Sequence, residues 1–158
     1  MSLTDVLDFH PTEVARQMTL MDSAMLKAIE VQEWMGLGWT KKDGRSPNLV
    51  AFIERFNLVS AWVATVVLTG TSVDQRCSVL RFFVLVAQEC LNLNNFNGCL
   101  EIIAGLANVA VARLSLTWTA LSPTVQKQVS YPLLSSHSRL LLSPPSSLRL
   151  SFVDGVVP

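Results

Sequence analysis

The sequence has 158 residues, half of them hydrophobic and only 15% charged, with twelve basic and twelve acidic side chains. That is enough apolar chain for one domain with its own core, and the balanced charge supplies no field to draw it onto nucleic acid or an anionic membrane. The N-terminus carries Asp5 and Asp8 rather than a basic start, which excludes a secretory-signal reading, and the longest strongly apolar stretch, residues 59–68, is broken by Ser60 and Thr65 and falls short of the roughly 20 residues of a membrane helix. No direct membrane insertion is expected.

In chain order, Val14, Met18 and Met21 predict a short helix after Pro11, and Asp22 is placed to cap another that runs through Ile29. Gly36 ends a turn around Trp34, and residues 39–45, with two lysines, Asp43 and Gly44, read as a solvated loop. Ser46 and Pro47 then start a long helix. Leu49, Phe52, Ile53, Phe56, Val59, Ser60, Val63, Val66 and Val67 keep its three-and-four spacing up to Gly70. Ser72 and Gln75 form a capping box for the next helix, whose stripe is Cys77, Leu80, Val84, Ala87 and Leu91, widened by Phe83 and Cys90. Asn94 or Asn95 caps a third, with Phe96, Cys99, Leu100, Ile103 and Leu106 on one face and an end near Asn108. No strand alternation occurs before residue 130 and no internal repeat is visible, so the fold class is all-α.

The character changes after residue 129. Residues 130–158 hold four of the seven prolines and many serines, with leucines scattered among them, which forbids a long helix and predicts an irregular extension. Three cysteines, Cys77, Cys90 and Cys99, without a CxxC pair suit reduced, buried thiols better than a disulfide frame or a zinc site. Catalytic constellations are missing: there is no GxSxG, no phosphate loop with lysine and no HExxH, and the two histidines, His10 and His137, lie at opposite ends of the chain. His10 reads as a surface residue at a helix start. No catalytic residue, metal or cofactor is expected. Trp34, Trp39, Trp62 and Trp118 lack an accompanying basic stripe and read as packing residues. Asn57, Asn94, Asn95 and Asn97 read as amides that tie loop backbone to helix ends.

Three blocks carry more information than any of these. They are the run from Phe9-His10-Pro11-Thr12-Glu13 through Leu20-Met21-Asp22, then Ser46-Pro47-Asn48 leading into Phe52-Ile53-Glu54-Arg55-Phe56-Asn57, and Leu93-Asn94-Asn95-Phe96-Asn97-Gly98. In that order they resemble the catalytic domain of guanine nucleotide exchange factors for Ras-like small GTPases, the RasGEF family. The resemblance runs from about Phe9 to about Pro123 and is to the first half of that domain. It implies an N-terminal lead at 1–8, a partial RasGEF domain with a multi-helix, bundle-like fold at 9–129, and a divergent tail at 130–158 whose origin would be alternative splicing, read-through or a frame change.

The resemblance also implies a function without bond chemistry, that of a GTPase regulator rather than an enzyme. The family's surface grips the GTPase's switch II while a separate helical hairpin displaces switch I. Matching residues 98–114 to the family pattern places Leu100, Ala107 and Ala112 at switch II contacts, with Glu54 a fourth. Leu100 also fits a core position, and Glu54 a solvated one. Where the family reads Gly-Leu-Asn-Ser, this chain reads Gly105-Leu106-Ala107-Asn108. A one-residue shift turns a helical side chain by about 100°, so Asn108 is a poor substitute for the displaced asparagine. Nothing after residue 130 matches the hairpin. The partner implied is a Ras-like small GTPase of Ras, Rap or Ral type, met in the cytoplasm or at a membrane through a lipidated GTPase. Two alternatives stand beside it: a truncated, non-catalytic GTPase-binding or regulatory module, and a fragment with exposed apolar faces that does not close its core.

Overall fold

The computed structural model describes residues 6–35, 38–41, 44–123 and 125. Among them every regular element is helical: α1 (Pro11–Ala28), a 3-10 turn (Val31–Trp34), α2 (Gly38–Lys41), α3 (Pro47–Leu68), α4 (Val73–Asn92), α5 (Phe96–Leu106), α6 (Val109–Ala112) and α7 (Ser115–Ala120). The expected tail at 130–158 lies outside the described residues.

At the start of α1, His10 accepts the amide of Thr12 on Nδ1 at 3.3 Å, with Pro11 in the first turn, where its missing N–H costs nothing. The predicted break at Asp22 does not occur. Ala15, Met18 and Asp22 form one buried stripe of a single 18-residue helix. Asp22 has no free oxygen for a cap, because Arg55 and Asn95 occupy both of them. The solvated loop expected at 39–45 is also revised, since α2 occupies its first residues through Lys41.

The long helix α3 begins where expected, but Ser46 does not cap it. The Ser46 hydroxyl donates to the carbonyl of Glu33 at 3.0 Å. The cap is instead the Glu33 carboxylate, which accepts from the backbone amides of Asn48 at 2.8 Å and Leu49 at 3.0 Å and from the Asn48 side chain at 2.7 Å. A carboxylate at this end of the helix is favoured by the amides that lack intrahelical partners and by the macrodipole. By length and composition α3 would be able to cross a bilayer, unlike the shorter 59–68 stretch, because only Glu54 and Arg55 are charged along it. One face of it is nonetheless core: Val63 and Val67 are fully buried.

The central element is α4. Its Ser72 and Gln75 form the expected reciprocal capping box. Val79, Phe82 and Val86 are buried in addition to the predicted stripe, because α1, α3, α5 and α7 all pack around this helix. Phe83 meets Trp62 edge-to-face at 5.3 Å and Phe82 at 5.5 Å. Burying such a side chain contributes on the order of 1.5–3 kcal/mol, so this cluster anchors the core. Trp62 and Trp118 are half-buried packing residues as expected, whereas Trp34 is exposed.

Asn94 adopts a left-handed conformation (φ 59°) that ends α4, and Asn95 then caps α5 by accepting the amide of Gly98 at 2.9 Å. An asparagine tolerates that backbone better than most residues. α5 lies very close to α3. A Cβ on Gly105 would sit 2.6 Å from the Ser60 carbonyl oxygen and 2.7 Å from Val63 Cβ, so only glycine allows this approach. α6 and α7 close the described chain against α3, α4 and α5, with the Trp118 indole donating to the Val111 carbonyl at 2.9 Å and Arg76 holding Thr117 at 3.0 Å.

Candidate functional site: an exposed surface on α3, α5 and α6

The four residues singled out in the sequence fall on adjoining elements. Glu54 is exposed on α3, Leu100 is half-buried on α5, Ala107 is exposed at the C-cap of α5, and Ala112 is exposed at the end of α6. α3, which carries Glu54, packs against both α5 and α6, which carry the other three. The Ser60 hydroxyl of α3 donates to the Glu101 carbonyl of α5 at 3.1 Å. Asn108, next to Ala107, is engaged elsewhere, because its Oδ1 accepts the amide of Ala110 at 2.9 Å and caps α6.

Beneath this surface lies a buried polar network that was not singled out in the sequence. Asp22 pairs with Arg55 through Oδ1 at 3.0 Å and accepts the Asn95 amide on Oδ2 at 2.9 Å, while Asn95 also donates to Thr19 Oγ1 at 3.1 Å. Glu101 is fully buried and accepts from the Asn97 side chain at 3.0 Å. The signal for both acids was present. Asp22 lies on the stripe of Ala15 and Met18, and Glu101 interrupts Leu100, Ile102 and Ile103, so each charge occupies a position whose pattern demands burial. Of the four asparagines read as tying backbone to helix ends, Asn95 does so, Asn97 instead bonds the Glu101 side chain within α5, and Asn57 is an exposed residue of α3.

These acids do not share an electrostatic setting with Glu33. Burial would raise the Glu33 pKa, but hydrogen bonds from Leu49, Asn48 and Glu30 outweigh it and hold the carboxyl below its usual value. Glu101 is pushed up to about 7, first by burial and then by the negative charge of Asp22, with Arg55 and the Asn97 amide pulling partly back. Burial likewise pushes the thiols of Cys90 and Cys99 up to about 12 and about 11, and all three cysteines are buried and free, as the sequence reading expected. Neutral thiols in such surroundings are poor nucleophiles.

An open groove of about 410 Å³ runs on another side of the molecule, with Phe9, Val14, Met21, Val59, Trp62 and Phe82 among its walls. Among the described residues no cluster of His, Cys, Asp or Glu is arranged to hold a metal ion.

Comparison with known proteins places the chain in a family. The model of the RasGEF domain matches residues 13–148. Ras guanine nucleotide exchange factor E of Dictyostelium discoideum is 44% identical over 142 residues, which cover 89% of this chain and 13% of that protein. The mouse (Mus musculus) Ras-specific guanine nucleotide-releasing factor RalGPS1 is 41% identical over 120 residues, covering 75% of this chain and 20% of that protein. In RalGPS2 of Macaca fascicularis the figures are 40% over 120 residues, 75% and 22%. The chain thus spans about a fifth or less of the length of these curated relatives. With a family match over most of its length and an all-helical fold, the chain belongs to the RasGEF domain family.

Proposed function

We propose that this chain acts on a Ras-family small GTPase, promoting release of bound guanine nucleotide by gripping its switch II segment. Membership in the RasGEF domain family across residues 13–148 carries the proposal. Leu100, Ala107 and Ala112 on the α5–α6 side, with Glu54 farther along α3, form the contact surface in this reading. The chain is a regulator and needs no nucleophile or metal of its own. Release of a nucleotide held with nanomolar to picomolar affinity is opposed by about 12–16 kcal/mol, which an exchange factor offsets by binding the nucleotide-free GTPase more tightly than the loaded one. The chemistry is that of an interface that redistributes switch conformations. Its site of action would be the cytoplasm, reaching a membrane through a lipidated GTPase.

A second reading, binding without exchange, draws support from one observation. The position matching the family's asparagine is Ala107, and the neighbouring Asn108 is already engaged as the cap of α6. Release of a fluorescent guanine nucleotide from Ras, Rap and Ral proteins, each proved competent by magnesium chelation, separates the two. Acceleration on any member supports exchange and names the partner. Complex formation without acceleration selects the binding module, and neither binding nor acceleration sinks both readings.

A further inference from the structure

Two carboxylates and one guanidinium meet in the interior where α1, α3 and α5 join. Asp22 takes the Arg55 guanidinium directly and fills its second oxygen with the Asn95 amide. Glu101 has no cation of its own. Its Oε1 accepts from Asn97, and its fully buried Oε2 has no hydrogen-bond partner among the described residues. An ionised carboxylate in that position would leave a desolvated oxygen and a surplus negative charge beside Asp22, an arrangement that costs far more than a neutral acid.

We propose that Glu101 binds a proton in the folded chain and acts as a positioning residue, so that losing the proton loosens the seating of α5 against α3. The geometry concentrates the effect at that contact. The backbone carbonyl of Glu101 accepts the Ser60 hydroxyl, and one turn later Gly105 lies against the Ser60 carbonyl and Val63. Leu100 precedes Glu101 and Ala107 ends the same helix, so the protonation state sets the pose of residues on the exposed surface. The burial of Glu101 and its unpartnered oxygen hold whether or not the chain accelerates nucleotide release.

The groups that act on Glu101 are Asp22 from α1, Arg55 from α3 and the Asn97 amide from its own helix, and Glu101 in turn lies within electrostatic reach of the Cys90 thiol of α4. The thiols stay neutral and add no charge. The elevation of Glu101 to about 7 follows first from burial and then from the negative charge of Asp22, which Arg55 and the Asn97 amide only partly offset.

The direction of the linkage is fixed by that elevation. A carboxyl that titrates at about 7 when folded and at its usual value of 4.5 when unfolded leaves the folded chain holding the extra proton between those values. The contribution to stability is fully present below pH 4.5, declines as pH rises through 7 and is lost above it. Over that window the folding equilibrium constant should fall by on the order of a few hundred-fold, at up to tenfold per pH unit.

The decisive measurement is the stability of the full chain against pH, native and Glu101→Gln. The glutamine keeps the carbonyl that accepts from Asn97 and stays neutral throughout, so the decline should disappear in the variant and the variant should be the more stable chain at alkaline pH. A decline that persists in Glu101→Gln, or none in the native chain, overturns the proposal. A carboxyl-carbon NMR titration of the native chain decides the matter if the variant does not fold: a glutamate midpoint near 7 supports it, and all midpoints near 4.5 overturn it.

Discussion

Glu33 and Glu101 are both buried glutamates, yet their carboxyls are shifted in opposite directions from the usual value. Glu33 faces the start of α3, where the backbone amides of Asn48 and Leu49 and the Asn48 side chain converge on its oxygens, and the Glu30 amide at the start of its own turn adds a further donor. Glu101 lies in mid-helix, where the amides of its own helix are already bonded, and it receives one donor. Burial is common to both, so it does not decide which is charged. The supply of donors does, and that supply depends on whether the carboxylate meets the beginning or the middle of a helix.

The sharpest way to break this contrast is to remove the well-supplied acid. Glu33→Ala strips the start of α3 of its acceptor and should abolish a cooperative melt of the chain, whereas Glu33→Gln, which keeps one acceptor oxygen and replaces the other by a donor, should destabilise the chain less and remove the acid arm of the stability profile. The depressed pKa of Glu33 means that its contribution is present above 4.5 and lost as pH falls below that value, the reverse of Glu101. An unchanged melt for Glu33→Ala would show that the cap is dispensable.

Next in size is Asp22→Ala, which leaves the Arg55 guanidinium in the interior without its direct partner. Breaking a buried pair in this way costs about 3–5 kcal/mol, measurable by chemical denaturation. The same change removes the negative charge that helps to elevate Glu101 and should shift that residue's titration down toward its usual range. A Glu101 midpoint that does not move would assign its elevation to burial alone.

Smaller again is Gly105→Ala, which drives a methyl group into the Ser60 carbonyl and Val63. Overpacking of this kind costs about 1–3 kcal/mol, and it tests whether α5 must lie against α3 for Glu101 to be buried at all. The smallest effect on stability belongs to Glu54→Ala, an exposed position where changes fall within about 0.5 kcal/mol. In a pull-down with the GTPase identified by nucleotide release, it should weaken binding while the melt stays unchanged. An effect on the melt instead would return Glu54 to the structural residues.

Much of the fold was legible from local pattern. The capping box at Ser72, the apolar face of α3 and the asparagine start of α5 depend on neighbours three or four residues away, and such signals survive in a bare sequence. What was missed involves partners far apart in the chain. Ser46 looked like the cap of α3 because the competing acceptor, Glu33, lies thirteen residues earlier and reaches the helix through a turn. Asp22 looked like a helix start because its partners, Arg55 and Asn95, are not its neighbours. The candidate surface was legible only through family blocks, since exposed alanines such as Ala107 and Ala112 carry no periodicity of their own.

Asp22 has one further consequence, for the order of folding. Its two oxygens are filled from residues 33 and 73 positions away along the chain. Contacts of such separation require most of the domain to be collected before they form, and loop-closure entropy opposes them until then. α1, although synthesised before α3 and α5, therefore has to hold an unmatched acid on its apolar face until α3 and the start of α5 exist. Of these three helices, the earliest made is the last to have its acid matched.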